Sequence, residues 1–184
     1  LYAVYTDPEK GLILYDGEVE KPIHVVSEPA KTVGAGVSNS VLYVFVSTNT
    51  SSAVVKYNIA NDTAVVTSYS LPVEKALFIN GVFLCVGRET LYLVRGESLD
   101  PIGHVDKLFY PIEKTNKFIR YTQSSLYVTE LTETGVTTTE IVDVYEEVIV
   151  ADLHGDVFAI STSEGIFTYS PVSYTHLRAH ETSL

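Results

Sequence analysis

Histidine is the side chain best suited to acid–base or metal chemistry near neutral pH, and this chain has 5 of them. His176 and His180 stand four residues apart, a spacing that on a helix would place both imidazoles on one face as zinc ligands. His154 precedes Gly155 and Asp156, which would allow a His/Asp pair. A tight turn needs Gly and Asp for backbone reasons alone, however, and no nucleophile with a defined partner accompanies the pair. We therefore assign no catalytic residue there.

The other side chains that could take part in catalysis or metal binding are spread along the chain. His24 and His104 fall in segments that predict strands of different repeat units, so we do not expect them to converge. Cys85 is the single cysteine, which excludes an internal disulfide framework and a cysteine-rich metal site. It stands within the apolar run Phe83–Val86, which predicts a buried and inert thiol. These residues predict no metal site and no cofactor.

The charge balance restricts the possible partners. The chain has 12 Lys and Arg residues against 23 Asp and Glu residues, a formal net charge of −11. No local cluster of basic residues offsets this charge. Because binding to a phosphate backbone needs such a cluster, we predict no nucleic-acid partner. No segment approaches the roughly 20 consecutive apolar residues of a membrane helix, so no membrane span is predicted.

The composition and the alternation of apolar residues predict that any functional site is carried by β-strands. Val, Ile and Thr make up 56 of the 184 residues, a composition typical of β-sheets. Five segments share one plan, in which two alternating apolar strands flank a short polar turn and form a β-hairpin. The hairpins span Tyr2–Tyr15, Val41–Ile59, Val82–Val94, Phe118–Leu131 and Val157–Tyr169.

The hairpins recur with the long period of a repeat architecture. Successive second strands begin 42, 37, 35 and 40 residues apart, a spacing typical of propeller blades. The segments between hairpins predict two more strands for each unit. The outer-strand candidates are Pro22–Val26, Ala64–Tyr69, Pro101–Val105 and Thr137–Val142. The inner-strand candidates are Thr32–Val37, Lys75–Ile79, Lys107–Ile112 and Val148–Asp152. The first inner strand is rich in Gly and Ala, as expected where strands are crowded.

This pattern resembles part of a β-propeller of the broad WD-repeat-like or quinoprotein-like kind, across Leu1 to Pro171. The chain has no Trp, so the resemblance is to the architecture and not to a subfamily. It implies an all-β fold of about four to five four-stranded antiparallel blades in an open ring. An open β-sandwich and a β-solenoid are the alternative architectures. The resemblance also implies binding or scaffolding through the loops at the blade ends.

The C-terminal residues break from the strand pattern. Val172–Thr182 resembles the conceptual translation of a sequencing adapter. We therefore interpret residues 172–184 as a non-native tail and residues 1–171 as a partial β-propeller domain. On this interpretation the pair His176 and His180 is not a metal site. The chain begins at Leu1 within a predicted strand, so we expect the natural N-terminus to lie upstream.

In a propeller, the loops between the second and third strands of each blade share one face with the linkers between blades. Most charged residues of those loops are acidic here, so we expect an electronegative face suited to a protein or cationic ligand. The candidate ligand-binding residues are Asp7, Glu9, Arg88, Glu89, Glu146, Glu147 and Glu164. Further residues of the predicted face are Glu28, Glu74, Asp106 and Gln123. Solvated loops without a partner are the alternative interpretation.

Two classes of function remain open. The first is a non-enzymatic binding or scaffold module that acts through blade-end loops, alone or as one part of a larger surface protein. The second is a propeller enzyme, such as a hydrolase, a lyase or a quinone-dependent dehydrogenase, whose site lies partly in further blades. A low Lys content and abundant Thr, Ser and Tyr favour an extracellular or cell-surface location over a cytoplasmic one. Two N-glycosylation patterns, Asn49-Thr50-Ser51 and Asn61-Asp62-Thr63, matter only if the protein is exported.

Overall fold

The computed structural model describes residues 3–7, 9–15, 17–24, 29–109, 115–122, 125–132, 135–143, 147–154 and 157–169. Throughout these residues the regular secondary structure is β-strand. The chain divides into two compact units, Leu1–Gly103 and His104–Leu184, which we describe separately as unit 1 and unit 2. The predicted non-native tail, with His176 and His180, lies outside the described residues.

Unit 1 contains three antiparallel sheets. Their strands are β1 (Ala3–Asp7), β2 (Gly11–Tyr15), β3 (Glu20–His24), β4 (Lys31–Ser38), β5 (Val41–Ser47), β6 (Ser52–Asn58), β7 (Thr63–Tyr69), β8 (Lys75–Ile79), β9 (Val82–Gly87), β10 (Thr90–Arg95) and β11 (Ser98–His104), whose last residue opens unit 2. The strand orders are β1-β2-β3, β4-β5-β6-β7 and β8-β9-β10-β11. Each sheet is therefore a meander in which neighbours in sequence are neighbours in space.

Unit 2 repeats the same plan with two sheets. Its strands are β12 (Lys107–Phe109), β13 (Lys117–Thr122), β14 (Ser125–Thr132), β15 (Gly135–Asp143), β16 (Val150–His154), β17 (Val157–Ser161) and β18 (Ile166–Tyr169). The strand orders are β12-β13-β14-β15 and β16-β17-β18. Within each unit, the first strands of successive sheets are in contact: β4 with β1 and β8 in unit 1, and β12 with β16 in unit 2.

The predicted all-β class and four-stranded antiparallel propeller blades are confirmed. All five predicted hairpins form, and every predicted inner and outer strand overlaps an observed one. Among the described residues, strand ends differ by a few residues; the predicted strand ends at residues 25–26 and 110–112 lie outside the described part. The strand predicted to begin at Pro101 begins at Ser98, because Gly96 adopts a φ of +57° and closes a two-residue turn directly after Arg95. The predicted tight turn Asn80-Gly81 is present, with φ angles of 48° and 84°.

The core of unit 1 lies between successive sheets. One cluster joins the first two sheets and includes Leu12, Leu14, Val44 and Val55, all buried. A second cluster joins the second and third sheets. There Phe45 meets Phe83 edge to face, with ring centroids 5.2 Å apart. Because each sheet buries a face only against its neighbour, a single blade of this kind has no complete core of its own.

Glycine in β4 sets how closely two sheets approach. A Cβ atom added at Gly34 would lie 2.5 Å from the carbonyl oxygen of Ala76 in β8, and one added at Gly36 would collide with the ring of Phe78. The Gly/Ala-rich composition of this inner strand is thereby explained by the closeness of β8. The atom that a side chain at Gly34 would meet belongs to the backbone of Ala76, so it cannot move aside by a change of rotamer.

We predict that Gly34→Ala lowers the free energy of unfolding by about 2–3 kcal/mol, because the new methyl group forces β4 and β8 apart. Chemical denaturation followed by circular dichroism measures the change. Ala35→Val is the matched control, since Ala35 is exposed on the same strand and tolerates a larger side chain. Equal stability of both variants and the wild type would show that β4 and β8 are not closely packed.

Candidate functional site

One end of unit 1 collects two kinds of loop. Strand direction alternates along each meander, so the turns that join β1 to β2, β5 to β6 and β9 to β10 lie at the same end of their sheets. The linkers that join β3 to β4 and β7 to β8 reach that end too. We call this set of turns and linkers the loop edge of unit 1. It is the part of the predicted ligand-binding face that the structure describes within one unit.

A cavity of about 440 Å³ opens at this edge. Four stretches line it: Pro29–Lys31, Ser47–Asn49, Pro72–Glu74 and Arg88. Two linkers and two hairpin turns, from the second and third sheets, thus meet around one space. Its volume lies within the range of typical ligand pockets. The sequence had placed Glu74 and Arg88 on the predicted face, but it gave no indication that Lys31, Ser47 and Asn49 would join them.

Buried serine hydroxyls hold the wall of the cavity. Ser47 Oγ accepts a hydrogen bond of 2.9 Å from the backbone N–H of Val73, and both groups are buried. Ser52 Oγ donates a bond of 2.7 Å to the carbonyl of Leu71. The two serines are paired in register across β5 and β6, so together they tie the β7–β8 linker to one hairpin end. The cavity is therefore built on a backbone fixed from inside the core.

The hairpin turns on either side of the cavity are also ordered by local bonds. Thr48 Oγ1 accepts from the N–H of Ser51 at 3.0 Å, and the N–H of Thr48 donates to the Ser51 carbonyl at 2.8 Å. Arg88 and Glu89 form a two-residue turn with φ angles of 51° and 60°. That left-handed conformation costs roughly 1–2 kcal/mol for a residue with a side chain, and here neither position is Gly or Asn.

Three charged side chains reach the cavity without a partner. Lys31, Glu74 and Arg88 are exposed, and within the described ranges none of them forms an ion pair or a side-chain hydrogen bond. The charged side chains at the cavity are therefore two cations, Lys31 and Arg88, and one carboxylate, Glu74. This local balance is opposite in sign to the electronegative face expected from the sequence.

The predicted residues of the ligand-binding face fall into separate groups. Asp7, Glu9, Arg88 and Glu89 lie at the loop edge of unit 1. Asp7 has a structural role, since its carboxylate accepts the N–H groups of Glu9 and Lys10 at 2.8 Å each. Those bonds lower the pKa of Asp7. The charge at this position is partly used to close the β1–β2 turn.

In unit 2, Glu147 forms an ion pair with Lys107, and that bond lowers the pKa of Glu147. Lys107 also donates to the carbonyl of Val148 at 3.0 Å. Glu164 is exposed in the β17–β18 turn, where its N–H donates to Thr162 Oγ1 at 3.2 Å. Glu146 lies outside the described residues. The idea that all seven candidates form one ligand-binding face stays a prediction.

The histidines have no common site among the described residues. His104 Nε2 and Asp106 Oδ1 are 2.9 Å apart in an exposed pair. His154 is exposed at the end of β16, and residues 155–156 are not described. His24 ends β3, where only its backbone is described. In the part of the chain that the structure describes, no three His, Cys, Asp or Glu side chains are grouped as a metal site would require. No helix long and apolar enough to cross a membrane occurs in that part either.

Arg120 is an unusual group that the sequence patterns did not reveal. It is buried in β13, with 9% of its surface exposed, and its guanidinium lies 4.9 Å from the ring centroid of Tyr127. Nη1 donates to the His104 carbonyl at 3.4 Å, and Nε has no hydrogen-bond partner among the described residues. Desolvation lowers the pKa of Arg120. The contact with an aromatic face offsets part of that desolvation cost.

No protein-family model and no curated protein matches this chain. Solved structures show distant similarity. The structure described as "KlHsv2 with loop 6CD replaced by a Gly-Ser linker" is 14% identical with a TM-score of 0.36, over 77% of this chain and 63% of that one. BamB from Moraxella catarrhalis is 13% identical with a TM-score of 0.44, over 98% of this chain and 73% of that one. The chain thus spans less than two thirds of the first structure. At such identities a similar fold does not imply a shared function.

We predict that Ser47→Ala lowers the free energy of unfolding by about 1–2 kcal/mol, because the buried N–H of Val73 loses its acceptor. Denaturant unfolding measures this loss, and hydrogen exchange at Val73 should become faster. Ser68→Ala is the control, since Ser68 is exposed in β7. Identical behaviour of the two variants would show that Ser47 does not hold the linker.

We predict that Cys85 does not react with Ellman's reagent at pH 8 in the folded protein. The thiol is fully buried, and burial raises the pKa of Cys85 to about 12. At pH 8 only roughly one thiol in ten thousand would be ionised even with access to solvent. Unfolding in guanidinium chloride should release one equivalent rapidly. Rapid reaction of the native protein would exclude a buried thiol.

Proposed function

We propose that this chain is a non-enzymatic binding module that seats a segment of a protein partner in the cavity at the loop edge of unit 1. The observation that carries the proposal is the cavity itself, with unpaired Lys31, Glu74 and Arg88 around a fixed backbone wall. Charged groups without partners are poor at stabilising a fold, but they are available to a ligand. Loops held by a rigid scaffold are a common place for binding sites.

The charges indicate what the partner segment presents. Two cations favour a carboxylate, from an Asp or Glu side chain or from the C-terminus of a polypeptide. Arg88 offers the forked geometry that binds a carboxylate with two hydrogen bonds. Glu74 can accept from a donor on the same segment. Pro29, Ala30 and Pro72 supply apolar surface between these groups. The cavity is therefore suited to a short acidic segment with an apolar residue beside its carboxylate.

Three acidic residues of the predicted face lie at the same loop edge, outside the residues that line the cavity. Glu89 follows Arg88 in the same turn, and Asp7 and Glu9 lie in the first hairpin of unit 1. A partner with a basic residue flanking its acidic group would find both signs of charge along this edge. Rim charges of this kind act mainly on the rate and specificity of association.

Asn49 lines the proposed site and would also be open to N-glycosylation if the protein is extracellular. Its side chain is exposed at the cavity, and Asn49-Thr50-Ser51 is an N-glycosylation pattern. A glycan there would compete with a bound segment for space at the cavity mouth. The second pattern begins at Asn61, in the turn at the opposite end of β6, where a glycan would leave the cavity open.

We predict that fluorescein-labelled acidic hexapeptides bind the wild-type chain more tightly than basic or neutral hexapeptides of the same length. The double variant Lys31→Glu/Arg88→Glu should weaken acidic-peptide binding at least about tenfold, because it replaces both attractive charges by repulsive ones. Fluorescence anisotropy measures the dissociation constants, and circular dichroism checks that the variant is folded.

Lys56→Glu provides the matched control, since Lys56 is an exposed lysine in β6 outside the cavity. It should leave acidic-peptide binding unchanged. Preference for basic peptides, lost in Glu89→Lys, would overturn the cavity proposal and favour the electronegative face instead. Equal acidic-peptide binding by the wild type, the double variant and Lys56→Glu would exclude Lys31 and Arg88 from the site.

A further inference from the structure

The outermost strand of a blade has one edge that no strand of its own sheet covers. β3, β7, β11 and β15 end their sheets, so alternate N–H and C=O groups of each point away from the sheet; β18 also ends its sheet, as the third strand of a blade whose outer strand is not among the described residues. In the described part of the chain no further strand pairs with them. Such edges can pair with a strand of another molecule, and proteins commonly prevent this with proline, charges or irregular register.

Three of the four outer strands carry such protection. β3 contains Pro22, and its register with β2 shifts between Leu12 and Ile13. β11 carries Asp100 and Pro101 at its centre. Proline lacks the N–H that a new neighbour would need. β15 pairs with β14 through a register shift between Leu126 and Tyr127, and it contains charged positions.

β7 has none of these features. Its seven residues, Thr63 to Tyr69, include no proline, no glycine and no charged side chain. All seven pair with β6 in unbroken register. Val65 and Val66 are exposed by 62% and 37%, so the strand also presents apolar side chains beside its free backbone groups. It is a long, regular and neutral edge in a protein that protects its other three described outer strands.

We propose that two copies of this chain pair antiparallel along β7, which joins two four-stranded blades into one eight-stranded sheet. A two-fold axis at Val66 would place Val66 of one copy opposite Val66 of the other, and Val65 opposite Thr67. Because β7 is neutral, the pairing brings no like charges together, although each copy has a net charge of −11. A seven-residue antiparallel edge supplies about six to eight backbone hydrogen bonds.

A second copy is the occupant that fits this edge best. It matches β7 in length, in alternation and in its lack of charge, and antiparallel pairing of identical strands is satisfied by two-fold symmetry. The outer strands β3, β11 and β15 would each bring a proline, a charge or a register shift to such a pairing. The proposal stands apart from the proposed cavity function, because none of the residues that line the cavity belongs to β7.

The test measures self-association of the full-length protein by sedimentation velocity, from low micromolar to near-millimolar concentration. We expect a reversible monomer–dimer equilibrium, because the contact is small. Val65→Lys should raise the dimer dissociation constant at least about tenfold, since it places a charge at the pairing edge. Its side chain is mostly solvent-exposed, so the monomer should stay folded. Hydrogen exchange should slow in β7 as concentration rises, while exchange in β11 stays constant.

Val37→Lys is the matched control, because Val37 is exposed by 57% on the innermost strand of the same sheet. It should dimerise like the wild type. The proposal is overturned by a monomer at every concentration, by a dimer that Val65→Lys leaves intact, or by open-ended aggregation without a dimer. Exchange that slows equally in β7 and β11 would likewise place the contact elsewhere.

Discussion

Face-to-face packing of successive sheets is the interaction on which the rest of this structure depends. Each blade is a meander whose strands are joined by backbone hydrogen bonds within the sheet, but whose apolar faces remain exposed unless a neighbouring blade covers them. In unit 1, Phe45 and Phe83 meet across one such interface, and Gly34 and Gly36 let β4 approach β8. Without that closeness, the aromatic side chains between the second and third sheets would lose part of their contact.

The same packing builds the loop edge. When two sheets lie face to face, the linker between them must pass across the hairpin end of the first sheet. Its backbone groups then need partners, and Ser47 and Ser52 provide them from buried positions at the ends of β5 and β6. The cavity at this edge is therefore a consequence of how the linker is held. Charged side chains at its mouth are free for a ligand because the fold does not use them.

The outer strands follow a different constraint, which concerns other molecules. An edge strand is stable within its own sheet, yet its free backbone groups can pair elsewhere. Pro22 and Pro101 lack the N–H groups that an added strand would need at the edges of β3 and β11. β7 keeps an unbroken register and a neutral composition instead. These outer strands have the same position in their blades, so the lack of protective features in β7 is informative. It supports the proposal that β7 pairs with another strand.

The sequence alone determined the strands, their grouping and the antiparallel meander, because alternation and turn residues act locally. Thus Asn80-Gly81 closes a turn in the structure as its sequence predicts, and the hairpins begin and end close to their predicted residues. Only the tertiary structure decided which loop residues meet. Lys31, Ser47 and Arg88 are far apart in the sequence, and they share a cavity because two sheets pack together and bring their loops to one edge. Charge counted along the sequence predicted an acidic face, and it could not show that packing brings Lys31, Arg88 and Glu74 around one cavity.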